Sequence, residues 1–401
     1  MTDRSLTGPD EYGSPILYRR IDIPQALCAT VDVDGKSVQY AGDVRMGDLR
    51  GTGEVDFLVY RSVDDAHDGG GMKPCFMAAL TMEGEALWSV GAGGEQPTRP
   101  GPVAIHDIDG DGCAEVVCLF LDASIEAAPT SVENVVIQIR DGSSGELRHQ
   151  TSPPELRACH GEGANWAHQR LLVANFRGTD RPRDLVVKLG NQVIAFDETL
   201  RILWIYENPW TEYGHCPAYI PAVGDIDGDG RDEVNGGYFL LDHDGTVLWE
   251  RQLAQHMDSV AITEWDDHQV RAICSGFGHV MDHKGNVVLC LGEEAVPHGQ
   301  EVRVARFSAN DPSPQMVIRY NGHEPDLMVV DTRGICVNRF QLNVSTNNTG
   351  MEVVYWNGSD QPALLYNGGK LWDPIQGSCV GLPDLPDTPP KKWTLSSGDC
   401  G

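Results

Sequence analysis

GDIDGDGRDEVNGGYFLLDHDGTVLWE, residues 224–250, decides how the rest of the chain is read. It opens on an Asp-x-Asp-Gly-Asp-Gly turn, passes through short apolar runs, and closes on a second Asp/Gly turn followed by Val247 and Trp249. Turn residues this dense around brief apolar stretches specify short antiparallel strands joined by tight hairpins. The first turn and strand recur as GDLRGTGEVDFLVY from Gly47, HDIDGDGCAEVVCLF from His106 and NFRGTDRPRDLVVKL from Asn175. Weaker copies are TEWDDHQVRAICSG and RFSANDPSPQMVIRY. The closing hairpin recurs as LTMEGEALWSV, AFDETLRILWIY, VMDHKGNVVLCL and VVDTRGICVNRF. In three hairpins an apolar residue follows the Asp by seven positions: Asp197 to Trp204, Asp242 to Trp249 and Asp282 to Leu289.

Successive hairpin aspartates, Asp197, Asp242, Asp282 and Asp331, are 45, 40 and 49 residues apart. That is the length of one four-stranded blade of a β-propeller. Counting from Ala41 gives seven such units, the last being MEVVYWNGSDQPALLYNGGKLWD. The sequence therefore predicts an all-β, seven-bladed β-propeller, or eight blades if the chain ends build another. The expected layout is one domain over 1–401, with closing strands within 1–40, blade repeats over 41–382 and a Pro-rich tail over 383–401. A stack of β-sandwiches is disfavoured by the single period and the absence of linkers.

The 45 glycines and 24 prolines are spread along all 401 residues, as many tight turns require. A formal charge of -29 with no Lys/Arg cluster argues against a nucleic-acid partner. It does not exclude an acidic substrate, because bound cations and a local basic site can oppose the global sign. The 11 cysteines form no CxxC pair and no regular framework, and a reduced interior is the simpler reading. No run of 18 apolar residues occurs and the N-terminal residues lack a signal-type apolar core. The expectation is a cytoplasmic protein with no membrane partner, or a secreted one if a signal peptide has been removed; the oligomeric state stays open.

Two loops carry metal-type chemistry. Asp107, Asp109, Asp111 and Glu115 stand at loop positions 1, 3, 5 and 9, and Asp225, Asp227, Asp229 and Glu233 repeat the spacing. Calcium takes six to eight hard oxygens in flexible geometry, and a glycine-pinned loop can wrap them around one ion. Here the loop joins two strands, unlike an EF-hand. The reading favours an ion that staples the turn over one that takes part in chemistry. The matching turn at Asp48 has Arg50 and Thr52 at ligand positions, so no metal is expected there.

Histidines concentrate near the start of each unit: HGEGANWAHQR with His168 and Arg170, YGHCPAYIP with His215 and Tyr219, QHMDSVAI with His256 and Asp258, and PHGQEVRVARF with His298 and Arg303. RYNGH adds Arg319, Tyr320 and His323. Strand alternation would put His168 with Arg170, His215 with Tyr219, and His256 with Asp258 on shared faces. In a propeller those strands line the central funnel, so four histidines would face one cavity. A single histidine in a strand is more often a satisfied core or surface residue; recurrence in phase with the repeat shifts the balance for the set. No HxH, HExxH, Gly-x-Ser-x-Gly or phosphate-binding glycine loop offers another chemistry.

With its Asp-x-Asp-Gly-Asp-Gly loops, His/Arg/Tyr-rich strands and hairpins, the chain resembles, over roughly 41–375, the propeller-type polysaccharide lyases. The group meant is chiefly the rhamnogalacturonan lyase family, with the related lyases of rhamnosyl-uronate linkages. The resemblance implies β-elimination on an acidic oligosaccharide or polysaccharide, giving an unsaturated uronate, with calcium as cofactor. Such chemistry needs a cation to neutralise the carboxylate, a base for the C5 proton and an acid for the leaving O4. His215 and Tyr219 lead as base and acid, with His168 and His256 as alternative bases. Arg170, Arg303 and Arg319 suit the carboxylate, and His298 and Tyr320 complete the substrate contacts. Two other readings stay open: a glycoside hydrolase using Asp258 with Glu301 or Glu162, and a non-catalytic calcium-dependent carbohydrate or adhesion propeller.

Overall fold

The computed structural model describes residues 31–381 apart from 34–35, 39, 64–74, 92–94, 98–102, 123–134, 160–169, 219, 323, 342–350, 356–359 and 367–369. The repeat read from the sequence is present as seven antiparallel sheets in chain order, spanning 40–91, 95–151, 170–207, 222–250, 260–290, 301–341 and 351–381. Six have four strands paired in sequence order. In the second sheet two short strands, Glu95–Pro97 and Val103–His106, pair with different parts of Glu115–Asp122. Among the described residues the helical content is one turn of α-helix, Pro154–Arg157, and one 3₁₀ turn, Tyr213–His215.

Residues 1–40 were expected to supply closing strands. Of these, the described strands Val31–Val33 and Lys36–Val38 pair with each other as a separate hairpin. The tail over 383–401 and residues 1–30 lie outside the described residues.

The burial of each strand follows from its place in the sheet. Strands two and three of the third sheet, Asp184–Leu189 and Gln192–Phe196, are buried at every residue, as strands covered on both faces must be. The fourth, Ile202–Glu207, alternates toward its end and shows one side to solvent. Apolar residues at both parities serve two different cores. Leu185 and Val187 pack against Val117 and Leu119 of the second sheet, while Val186 packs against Val234, Phe239 and Leu241 of the fourth. Comparable clusters join the fourth sheet to the fifth, the fifth to the sixth and the sixth to the seventh. First strands of successive sheets also lie against one another from the first sheet to the seventh.

The seven-residue interval between Asp and an apolar residue has a structural cause. Each such apolar side chain lies over the hairpin glycine of the next sheet. A Cβ built on Gly245 would stand 2.9 Å from Trp204, one on Gly285 2.9 Å from Trp249, and one on Gly334 2.7 Å from Leu289. These three glycines have φ of 84°, 80° and 79°, a region that disfavours any side chain. Trp204 adds a hydrogen bond from Nε1 to the His243 carbonyl oxygen at 2.8 Å.

Candidate functional site

Three side chains from the connections that precede the fifth and sixth sheets meet at an open cavity of about 230 Å³. His256 and Asp258 come just before strand Val260–Glu264, and His298 just before Glu301–Ala305. His256 Nε2 lies 2.9 Å from Asp258 Oδ1, and His298 Nε2 lies 2.8 Å from Asp258 Oδ2. Asp258 is buried, whereas the His298 side chain is 42% exposed and lines the cavity with His256, Gln255 and Phe277. The rings of His256 and His298 stand edge to face, 5.6 Å apart.

Electrostatics divides the roles of the two imidazoles. Burial alone would lower the His256 pKa, but hydrogen bonds to Asp258 and to the Cys216 sulfur outweigh it and push the pKa up to about 11. His256 is therefore a cation at neutral pH. Burial would likewise raise Asp258, yet the two histidine hydrogen bonds hold it below the usual carboxylate range. The same three groups bring one ligand atom each within 4.8 Å of one another, a set that could hold a divalent metal if both Nε2 atoms were free of protons.

Backbone pairing fixes His298 in place. Its N–H donates to the Tyr320 carbonyl at 3.2 Å, and Gly322 N–H donates to the His298 carbonyl at 2.9 Å. Gln300 N–H donates to the Arg319 carbonyl at 2.8 Å. The RYNGH segment thus contributes chiefly through its backbone.

Other expected site residues fall elsewhere. His215 does not share a strand face with Tyr219, because it ends the 3₁₀ turn Tyr213–His215 and is exposed, with Gln252 Nε2 3.2 Å from its Nδ1. Gly214 within this turn and Pro217 just after it are the signals against a strand there. Gly214 reaches the cavity wall, so the turn borders the site. Arg319 is completely buried and donates from Nε to the Glu324 carbonyl at 3.1 Å, which removes it from substrate contact. Arg303 lies 3.4 Å from Glu301 and 3.3 Å from Glu352, so two carboxylates already answer its charge. The Tyr320 ring lies beneath the Arg339 guanidinium at 5.1 Å. Glu301 is buried, accepts the Met351 N–H and lies 3.4 Å from Arg303. His168, Tyr219, Glu162 and the side chain of Arg170 lie outside the described residues. Cys216, Gln255 and Phe277 were not anticipated; nothing local in the sequence marks them.

The two acidic loops share a backbone and differ in their contents. Asp107 accepts N–H groups of Gly110 and Gly112, and Asp225 those of Gly228, Asp229 and Gly230. Glu115 and Glu233 are buried and accept the N–H of Ile108 and of Ile226. In the 225–233 loop Glu233 Oε1 is buried with no hydrogen-bond partner, and burial pushes its carboxyl up to about 8. Asp225, Asp227 and Asp229 bring one oxygen each within 4.8 Å of one another, Asp229, Glu233 and His243 two oxygens and a ring nitrogen, and Asp107, Asp109 and Glu115 of the other loop three oxygens. An orphaned buried oxygen facing an oxygen-rich loop fits a hard cation. In the 107–115 loop Arg148 Nη1 stands 2.6 Å from Asp109 and 2.8 Å from Glu115.

A sequence model of rhamnogalacturonan lyase family 11, C-terminal domain, matches residues 18–150. The rhamnogalacturonan exolyase YesX of Bacillus subtilis (strain 168) is 26% identical over 275 residues, covering 59% of this chain and 44% of YesX. The endolyase YesW of the same organism is 24% identical over 277 residues, covering 58% of this chain and 43% of YesW. The crystal structure of YesW superposes with a TM-score of 0.70 at 18% identity, covering 90% of this chain and 66% of that one. The fold is thus that of a rhamnogalacturonan lyase, and the sequence matches point to the same group. The chain is similar in sequence to rhamnogalacturonan lyases and spans less than half the length of the curated relatives it matches. The resemblance carried by the acidic loops and histidine-rich segments is borne out.

Proposed function

We propose that the chain is a polysaccharide lyase that cleaves a rhamnose- and uronate-containing polymer of the rhamnogalacturonan type by β-elimination. In this reading the seven sheets close into a propeller, and the cavity at His256 and His298 is the catalytic centre. One observation carries the proposal: a buried carboxylate holds two imidazoles, one largely buried and one exposed, at a cavity mouth. Asp258 fixes the His298 ring through Nε2, leaving Nδ1 to accept the C5 proton of a bound uronate. The His256 cation, close to the same ring, favours the negative charge that spreads from C5 into the uronate carboxylate as that proton leaves. The C4–O4 bond then breaks, the C4–C5 double bond forms and the departing oxygen takes a proton. Tyr219, expected as the acid, is carried forward for this role on its place in the sequence. Calcium in the 225–233 loop, held by Asp225, Asp227, Asp229 and Glu233, would neutralise the charge of that turn and staple it.

Incubating the chain with rhamnogalacturonan, ulvan and gum-arabic-type polymers and following ultraviolet absorbance tests the reading. A rise from the unsaturated uronate is expected with the first. New reducing ends without that absorbance would mean hydrolysis and overturn the proposal.

A further inference from the structure

In all seven sheets the pairing between the last two strands skips one residue of the outer strand, so the same bulge recurs. Six of the skipped residues are apolar: Leu87, Leu203, Leu248, Val288, Val337 and Val380. The seventh is Arg148, in the sheet whose turn carries the 107–115 loop. Its Nη1 meets Asp109 and Glu115, and its Nη2 meets Asp141 and lies 3.9 Å from Asp111. Four carboxylates therefore surround one guanidinium. From the third sheet Arg181 covers the outside of the loop: its Nη1 is 3.6 Å from Asp107, and a Cβ on Gly110 would meet its Nη2 at 1.2 Å. At the matching Gly228 of the 225–233 loop a Cβ would meet nothing within 4 Å.

The other turns show why a cation is wanted there. Each of the first four sheets buries a carboxylate at the start of its second strand: Asp56, Glu115, Asp184 and Glu233. Arg50, at the third position of its own turn, lies 2.8 Å from Asp56, and Arg177 lies 2.7 Å from Asp184. A buried carboxylate needs a partner. Glu233 is the member of this set with an orphaned oxygen.

We infer that Arg148 is the resident cation of the 107–115 loop, and that this loop takes no calcium despite its complete Asp-x-Asp-Gly-Asp-Gly sequence. A guanidinium already satisfies the oxygens at positions 3 and 9, and a divalent ion placed among them would meet its charge at contact distance. The inference is independent of the lyase reading and confines a calcium of these two loops to 225–233.

Calcium bound per folded chain, measured by equilibrium dialysis and atomic emission, tests it on four proteins: the unaltered chain, Asp109→Asn, Asp227→Asn and Arg148→Leu. Asp109→Asn should bind as much calcium as the parent. Arg148→Leu, which installs the residue type of the other bulges, should bind one more, and calcium should raise its melting midpoint by more than the parent's. Loss of one calcium in Asp109→Asn overturns the inference, as does a folded Arg148→Leu that binds no more than the parent. Should Arg148→Leu fail to fold without calcium, refolding it with calcium gives the same count, and Asp109→Asn decides alone. Asp227→Asn separates the two readings. If it loses no calcium, the ion at 225–233 is disproved while the Arg148 assignment stands or falls on its own variants.

Discussion

Asp258 Oδ2 lies 2.8 Å from His298 Nε2 across the boundary between two successive sheets, while its other oxygen takes His256. One buried carboxylate therefore sets the tautomer of an exposed imidazole and balances a protonated one. In the proposed reaction His298 Nδ1 is the nitrogen that takes the proton, and His256 is the nearby group that opposes the charge this creates.

Replacing His298 by Ala should lower turnover by about a hundredfold or more, the lower range for a lost general base, with the melting midpoint nearly unchanged. Asp258→Asn should also lower kcat, because an amide can offer only one acceptor to two imidazole N–H groups. His215→Ala is expected to act mainly on KM, since that residue borders the cavity from an exposed turn. A His215→Ala loss as large as that of His298→Ala, measured by product absorbance, would return the base to His215.

Removing calcium should lower the melting midpoint of the parent and leave Asp225→Asn insensitive. An ion at about 100 times its dissociation constant contributes about 2.7 kcal/mol if only the folded chain binds it. Equal chelator responses in the two proteins would take the ion out of the 225–233 loop.

Much of the fold was legible because its signals are local. The Asp/Gly turns and the seven-residue step to Trp204, Trp249 or Leu289 lie within single hairpins, and the step reflects the contact each makes with the next glycine. The His256-x-Asp258 spacing was legible for the same reason. That His256 and His298 share a cavity was read from the recurrence of histidines; that Asp258 joins them was not, because its contact with His298 links residues 40 positions apart across two sheets. Strand alternation failed for His215, where a 3₁₀ turn replaces the extended chain. Arg319, chosen because a guanidinium matches a carboxylate, is wholly buried, a depth that residue type does not reveal. Arg148 is hidden more deeply, since only the strand register shows that it occupies a position where the other sheets carry Leu or Val.

Acid should destabilise the protein through His279, which burial holds neutral with its pKa lowered to about 4. The folded pKa lies below the unfolded value near 6.5, so the unfolded chain binds the proton more readily. Stability from this group is complete above about pH 6.5 and is lost as pH falls toward 4, by about 3 kcal/mol in all. Chemical denaturation across that range should show the fall, and His279→Gln should flatten it. An equal slope in the variant would exclude His279 as the cause.

Gly245→Ala should cost about 1 to 3 kcal/mol, combining strain at positive φ with a clash against Trp204. Gly292→Ala is the control: its φ is 86°, but a Cβ there meets nothing within 4 Å. Thermal melts should show Gly245→Ala falling further. Equal losses would mean that Trp204 yields without cost and does not fasten the two sheets.

Because Val186 faces one neighbour and Leu185 and Val187 the other, the third sheet has no interior of its own. It supplies half of one hydrophobic interior to the sheet before it and half of another to the sheet after it. An excised sheet would present two greasy faces to water, so the smallest fragment able to stand alone is a run of several. Tolerance to chain breaks should follow the same logic: a nick at a hairpin tip severs no shared interior, whereas deleting one whole sheet orphans the facing halves of two others.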